Sequence, residues 1–181
     1  LRNNFRTLIM KKTIIIILSI TIFSCEQDTV EVSKSAGEWM MQGSVNQGKK
    51  YVMGDDKDAD LVKEFMDAYE DMNAEKMVQM SADTVKFHPG DLPGVFDVDM
   101  TNTDFISERQ KDWDSIKRRY AFIMPINMDG SSVRFVETSF NETTYSKDGS
   151  KETKGVYERL YINEEDKISR VVQWHRPSTN N

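Results

Sequence analysis

The chain predicts an α+β fold in which a strongly bent antiparallel sheet wraps N-terminal helices and leaves a conical cavity. Three observations predict it. Apolar residues recur at helical spacing between Leu61 and Met80, they alternate at period two from Tyr120 onward, and the helical stretch precedes most of the strands. Helices grouped before strands place the helices on one face of an antiparallel sheet, whereas alternating units would build a parallel one.

Asp55, Asp56 and Asp58 offer N-caps and favourable charge for the first helix. Leu61, Val62, Phe65, Met66, Tyr69 and Met72 then form a stripe of about four turns. Asn73 opens a shorter helix with Ala74, Met77, Val78 and Met80 as its inner face. Val85 and Phe87 alternate with Thr84, Lys86 and His88, the mark of a strand, and Pro89-Gly90 and Pro93-Gly94 end it in a loop. Thr101 or Thr103 caps a third helix whose stripe runs Phe105, Ile106, Arg109, Trp113, Ile116 and Tyr120. Four strands complete the chain: Tyr120 to Ile126 with Pro125 at an edge or bulge, Val133 to Tyr145, Lys154 to Ile162, and Lys167 to His175. Asp148-Gly149 supplies the positive φ of the tight turn before the third of these.

The length, 181 residues, suits one domain with a tail. A single cysteine excludes an internal disulfide framework, and two histidines argue against a multi-histidine metal site; no metal or cofactor is expected. A net charge of −6 argues against nucleic acid as a partner.

Met10-Lys11-Lys12, an apolar run over residues 13–23, Ser24 and Cys25 have the layout of a secretory signal. The run is short of the ~20 apolar residues of a permanent span. Translation is expected to start at Met10. The box Ile22-Phe23-Ser24-Cys25 resembles a bacterial lipoprotein signal, which implies lipidation of Cys25 and a location in the bacterial cell envelope, at the outer membrane or cell surface. Loss of residues 1–24 removes four of 24 basic residues and none of 30 acids, leaving 20 − 30 = −10. So acidic a mature chain is expected to touch membrane through its lipid alone. Residues 25–57 read as lipidated cysteine and tether, 58–177 as the domain and 178–181 as a tail. Trp39-Met40-Met41 and Tyr51-Val52-Met53 interrupt the tether, either docking on the domain or lying exposed.

Three stretches, residues 62–80, Ala82-Asp-Thr-Val-Lys-Phe-His-Pro89 and residues 161–177, resemble the nuclear transport factor 2-like superfamily, which includes SnoaL-like polyketide cyclases and ketosteroid isomerases. The resemblance implies a cone-shaped domain and covers roughly residues 58–177. Position by position, the isomerases' carboxylate base becomes His88, their oxyanion tyrosine becomes Phe65, and their partner carboxylic acid falls near Gly155. Two of three roles are empty, so steroid isomerisation is not expected. The same frame points Lys86, His88, Tyr157, Arg159, Tyr161, Gln173 and His175 into the cone, with Ile168, Arg170, Val172 and Trp174 on the opposite face. It also implies a possible homodimer through that outer face.

His88 and His175 titrate near neutral pH and are candidate acid–base groups, with Arg159 holding an anion or oxyanion. Phe65, Tyr69, Lys86, Trp113, Tyr157, Tyr161 and Gln173 are candidate ligand contacts in a stacking pocket. Asp97 and Asp99 either gate the cone or form a solvated turn. The leading expectation is a lipid-anchored protein binding a small, partly apolar ligand without catalysis. An acid–base isomerase, cyclase or hydrolase built on His88 and a dimeric interaction module are the alternatives.

Overall fold

The computed structural model describes residues 35–176. The signal, Cys25 and the tail 178–181 lie outside the described residues. The element order is β1 (Ser35–Glu38), β2 (Lys50–Met53), α1 (Asp56–Glu70), α2 (Ala74–Met80), β3 (Ser81–His88), β4 (Phe96–Asp99), α3 (Asp104–Gln110), β5 (Trp113–Met128), β6 (Arg134–Ser146), β7 (Lys151–Ile162) and β8 (Ile168–Arg176).

The Asp55 carboxylate accepts from Lys57 N–H at 3.0 Å and starts α1, a cap worth ~1 kcal/mol. Asn73 caps α2 through Lys76 N–H. The stripe on α1 buries Val62, Phe65, Met66 and Tyr69 against the sheet, and Ile116, Phe140 and Leu160 meet it from the strands.

All eight strands form one sheet in the order β1-β2-β5-β6-β7-β8-β3-β4. The meander β5–β8 is antiparallel, but β3 pairs parallel to β8. The sheet is therefore mixed, not wholly antiparallel, because the chain enters β3 from α2 and meets the far side of the meander. The Asp148-Gly149 turn forms as expected, with Gly149 at φ 87°.

Three boundaries differ from the sequence expectation. The supposed tether contributes β1 and β2, which extend the sheet beyond β5. Trp39 and Tyr51 dock with Phe135, Ile126, Met128 and Tyr161 as a second apolar cluster on the outer face, while Met40 and Met41 stay exposed. The loop holding Asp97 and Asp99 forms β4, paired with β3. The third helix ends at Gln110, and Trp113 to Tyr120 belongs to β5. Ile116 and Tyr120 fit a helical stripe as well as a strand face; thirteen residues of pairing with β6 decide for the strand.

Candidate functional site

The sheet face toward α1 carries an unusual row. In three successive strands a charged residue occupies the middle of an inward apolar set: Arg118 between Ile116 and Tyr120, Glu142 between Phe140 and Thr144, and Glu158 between Val156 and Leu160. Arg118 Nη2 donates to Glu142 Oε2 at 2.6 Å and Nε donates to the same oxygen at 2.9 Å. Both side chains are 5% exposed. The guanidinium lies 4.4 Å from the Tyr69 ring centroid and 4.6 Å from that of Phe140, so two aromatic faces take the charge that water would otherwise solvate. Lys154 adds a second cation 3.4 Å from Glu142. Burial pulls the Glu142 carboxyl up, but Arg118 and Lys154 outweigh it and hold it below its ordinary value.

Among the described residues no cation pairs directly with Glu158 as Arg118 and Lys154 do with Glu142. Gln173 Nε2 donates to Glu158 Oε1. Burial dominates and pushes its carboxyl above the ordinary range, with Arg118 and the Gln173 bond opposing and Glu142 reinforcing. Gln173 Oε1 is itself buried with no hydrogen-bond partner among the described residues.

Arg118, Glu158 and Gln173 form the polar end of a cavity of about 60 Å³ whose other walls are apolar except for Ser81, which donates to Met77 O; among them are Phe65, Met66, Tyr69, Met77 and Val171. Phe87, Val98 and Phe105 separate it from an open cleft of about 490 Å³ bordered by Leu92, Phe96, Asp97, Asp99 and Arg109. The Phe87 and Phe105 rings meet edge to face at 5.9 Å, and the Arg109 guanidinium sits 5.3 Å over Phe87. The inner cavity has room for water or the head of a ligand; a whole drug-sized ligand needs ~300 Å³ or more.

Of the residues chosen from sequence, Phe65, Tyr69 and Gln173 line this cavity. Trp113 packs edge to face on Tyr69 at 6.3 Å, behind the wall. His175 is on the inner face beside Gly90, whose missing side chain makes room: a Cβ there would lie 2.7 Å from the imidazole. Its neighbours include Asp91, Glu142, Lys154 and Arg109, and burial lowers its pKa.

The remaining candidates are placed elsewhere. His88 pairs with Val172 on the outer face, so the structure separates the two histidines by the thickness of the sheet. Burial, Arg170 and Lys86 lower the His88 pKa. Lys86 also points outward, in an ion pair with Asp97 at 2.8 Å. The apolar partners decide this parity, since Val85 and Phe87 can be buried only if Lys86 and His88 are not. On β7 the same competition turns Val156, Leu160 and Ile162 inward and leaves Tyr157, Arg159 and Tyr161 outside. Arg159 there pairs with Glu137 at 2.5 Å. On β8 a register shift by Tyr161/Ile162 puts both Ile168 and Val171 on the inner face, so Ile168 leaves the outer set assigned to it. Asp97 and Asp99 border the cleft, not the inner cavity. Among the described residues no cluster of three His, Cys, Asp or Glu side chains could hold a metal ion.

The buried Arg118, Glu142 and Glu158 were missed from sequence. Their signal was available: a charge flanked at i−2 and i+2 mainly by apolar residues, repeated in three strands.

No protein-family model and no curated protein matches the sequence. Solved structures do match the fold. The epoxide hydrolase/cyclase-like enzyme SalBIII, concerned with pyran ring formation in the polyether salinomycin, aligns at TM-score 0.56 and 10% identity over 67% of this chain and 92% of its own. AusH from Aspergillus nidulans aligns at 0.55 and 14% identity over 71% and 90%. An LEH-like epoxide hydrolase of M. tuberculosis aligns at 0.53 and 11% identity over 66% and 84%. SnoaL-like and ketosteroid isomerase-like structures are also among the matches. The chain thus has the α+β cone fold of the nuclear transport factor 2-like superfamily.

Proposed function

We propose that the domain binds a small, partly apolar molecule whose polar head enters the inner cavity and whose body lies across the Phe87–Phe105 wall in the outer cleft. The observation that carries this reading is the convergence of Glu158, Gln173 and Arg118 on a mainly apolar cavity, with Gln173 Oε1 buried and unpaired among the described residues. A buried acceptor without a donor costs ~1–3 kcal/mol, which a bound hydroxyl or amide returns. The apolar walls supply the remaining affinity by burial. The test is thermal-shift titration of the wild type and Gln173→Leu with lactones, cyclic ethers, ketones and hydrocarbons of matched size. Ligands with a polar head are expected to raise the melting temperature of the wild type, and Gln173→Leu to lose most of that selectivity. Equal shifts from plain hydrocarbons count against the reading.

A second reading, acid catalysis, is favoured by one observation: the Glu158 carboxyl is raised by burial and so retains its proton closer to neutrality. It can donate that proton to an ether, epoxide or carbonyl oxygen held in the cavity. Work on the SalBIII and LEH-like structures names chemistry on epoxides and cyclic ethers, and those two compound classes lead the substrate panel. Glu158→Gln keeps shape and hydrogen bonding but cannot donate a proton as an acid. Turnover that survives in Glu158→Gln excludes this role.

The signal layout and Cys25 further support a lipid-anchored envelope protein. Cys25→Ser is expected to move the chain from the membrane to the soluble fraction, and unchanged membrane fractionation defeats that part.

A further inference from the structure

The outer sheet face opposite the cavity is chemically unlike the rest of this acidic chain. Its outward positions on β5, β7 and β8 include Lys117, Arg119, Lys151, Arg170 and Arg176; Lys117 also reaches Glu70 of α1 at 3.5 Å, the central acid Glu137 is buried and paired with Arg159, and Asp97 and Asp99 lie at the β4 edge. Across the middle of the same face runs an aromatic row. Phe122 on β5 and Tyr157 on β7 lean over the small Ser139 of β6 and meet at 6.2 Å, and Tyr157 meets Trp174 of β8 at 5.6 Å. The three rings are 41%, 37% and 48% exposed. Beside the row, Lys117, Arg119, Asn141, Thr143 and Thr153 line a shallow trough of about 320 Å³. Gly155, between trough and rings, has no side chain, and the Arg176 guanidinium lies over it, 2.8 Å from where a Cβ would be.

We propose that this face is a binding site for an acidic glycan, with carboxylate or sulfate groups in the Lys117–Arg119 trough and sugar rings against Tyr157 and Trp174. Charge selects an anionic partner, because the face is basic on a chain of net charge −6. A second copy docked face to face about a two-fold axis would bring one basic face against another, a like-charge contact. Between cations and rings the face offers neutral hydrogen-bonding groups, the Asn141 amide and the Thr143 and Thr153 hydroxyls, which bond each other at 2.8 Å. These match the hydroxyls of a sugar and are of no use to a bilayer. The rings are edge-to-face and only half exposed, so they lack both the protruding apolar surface that enters lipid and the row of open faces that stacks successive bases.

The test uses the purified full chain with alginate, heparin, neutral dextran, anionic phosphatidylglycerol vesicles and oligo-dT as probes. Binding to alginate and heparin that weakens with salt is expected, with about tenfold loss in Trp174→Ala and in Lys117→Ala/Arg119→Ala and none in Glu158→Gln. All these variants should retain the wild-type circular dichroism spectrum; Trp174→Phe, which keeps a ring, should retain most binding. The proposal is overturned if neither glycan binds, if dextran binds equally, or if vesicles or oligo-dT bind more tightly than both glycans. It is equally overturned if the variants bind unchanged, or if light scattering shows a dimer that Trp174→Ala dissociates.

Discussion

Arg118→Met tests the electrostatic logic of the cavity wall. Methionine keeps only the apolar stem, gives up the guanidinium over Tyr69 and Phe140, and leaves the 5%-exposed Glu142 facing only Lys154 at 3.4 Å. Removing one partner of a buried pair costs ~3–5 kcal/mol, since the survivor's charge keeps its desolvation without its attraction. Lys154 returns part of it, so the lower end, ~3 kcal/mol, is expected. For a domain of this size that is a fall in melting temperature of roughly 10 °C. Urea unfolding of the single variant, Glu142→Leu and the double variant closes the cycle, and the double variant should recover most of the loss. The pH dependence fixes the cause. In the wild type the Glu142 carboxyl lies below its ordinary value, so its stabilisation is complete above the unfolded-state pKa and is lost as pH falls through the folded one. Without Arg118 burial dominates and the carboxyl is raised, so that variant gains stability as pH falls through its folded pKa. The gap between the two must therefore narrow on acidification. A pH-independent gap, or a double variant whose losses simply add, refutes the reasoning.

Three further outcomes are expected. Glu158→Gln should be more stable than the wild type at neutral pH, because the raised carboxyl makes wild-type stability fall as pH rises from the unfolded to the folded pKa; urea midpoints between pH 4 and 8 read this. Gly90→Ala should cost ~1–3 kcal/mol by forcing a Cβ against the His175 ring and its backbone N, measured by thermal melting. Phe140→Ala should cost ~3–5 kcal/mol, since Phe140 is 2% exposed and its ring covers the Arg118 guanidinium.

The helical stripe from Val62 to Tyr69, the Asp55 and Asn73 caps, the Asp148-Gly149 turn and the four-strand meander were legible in the sequence, because each depends on neighbours within a few residues. The α+β class followed from their order. The site was legible only in part. Phe65 and Tyr69 lie on the buried stripe of α1, and Gln173 keeps its expected face. Lys86, His88, Tyr157, Arg159 and Tyr161 were assigned to the cone from the superfamily resemblance, yet Val85, Phe87, Val156 and Leu160 compete for the same face.

A strand's period of two specifies two faces without saying which one meets the helix. That choice belongs to the whole sheet, which buries one face of every strand against α1 at once. It carries Arg118, Glu142 and Glu158 inward with their apolar neighbours and sends His88 outward. The sequence by itself determined which segments are helix and strand. Only the tertiary structure decided which charges lie out of reach of water, because desolvation is a property of the packed layers and not of any one of them.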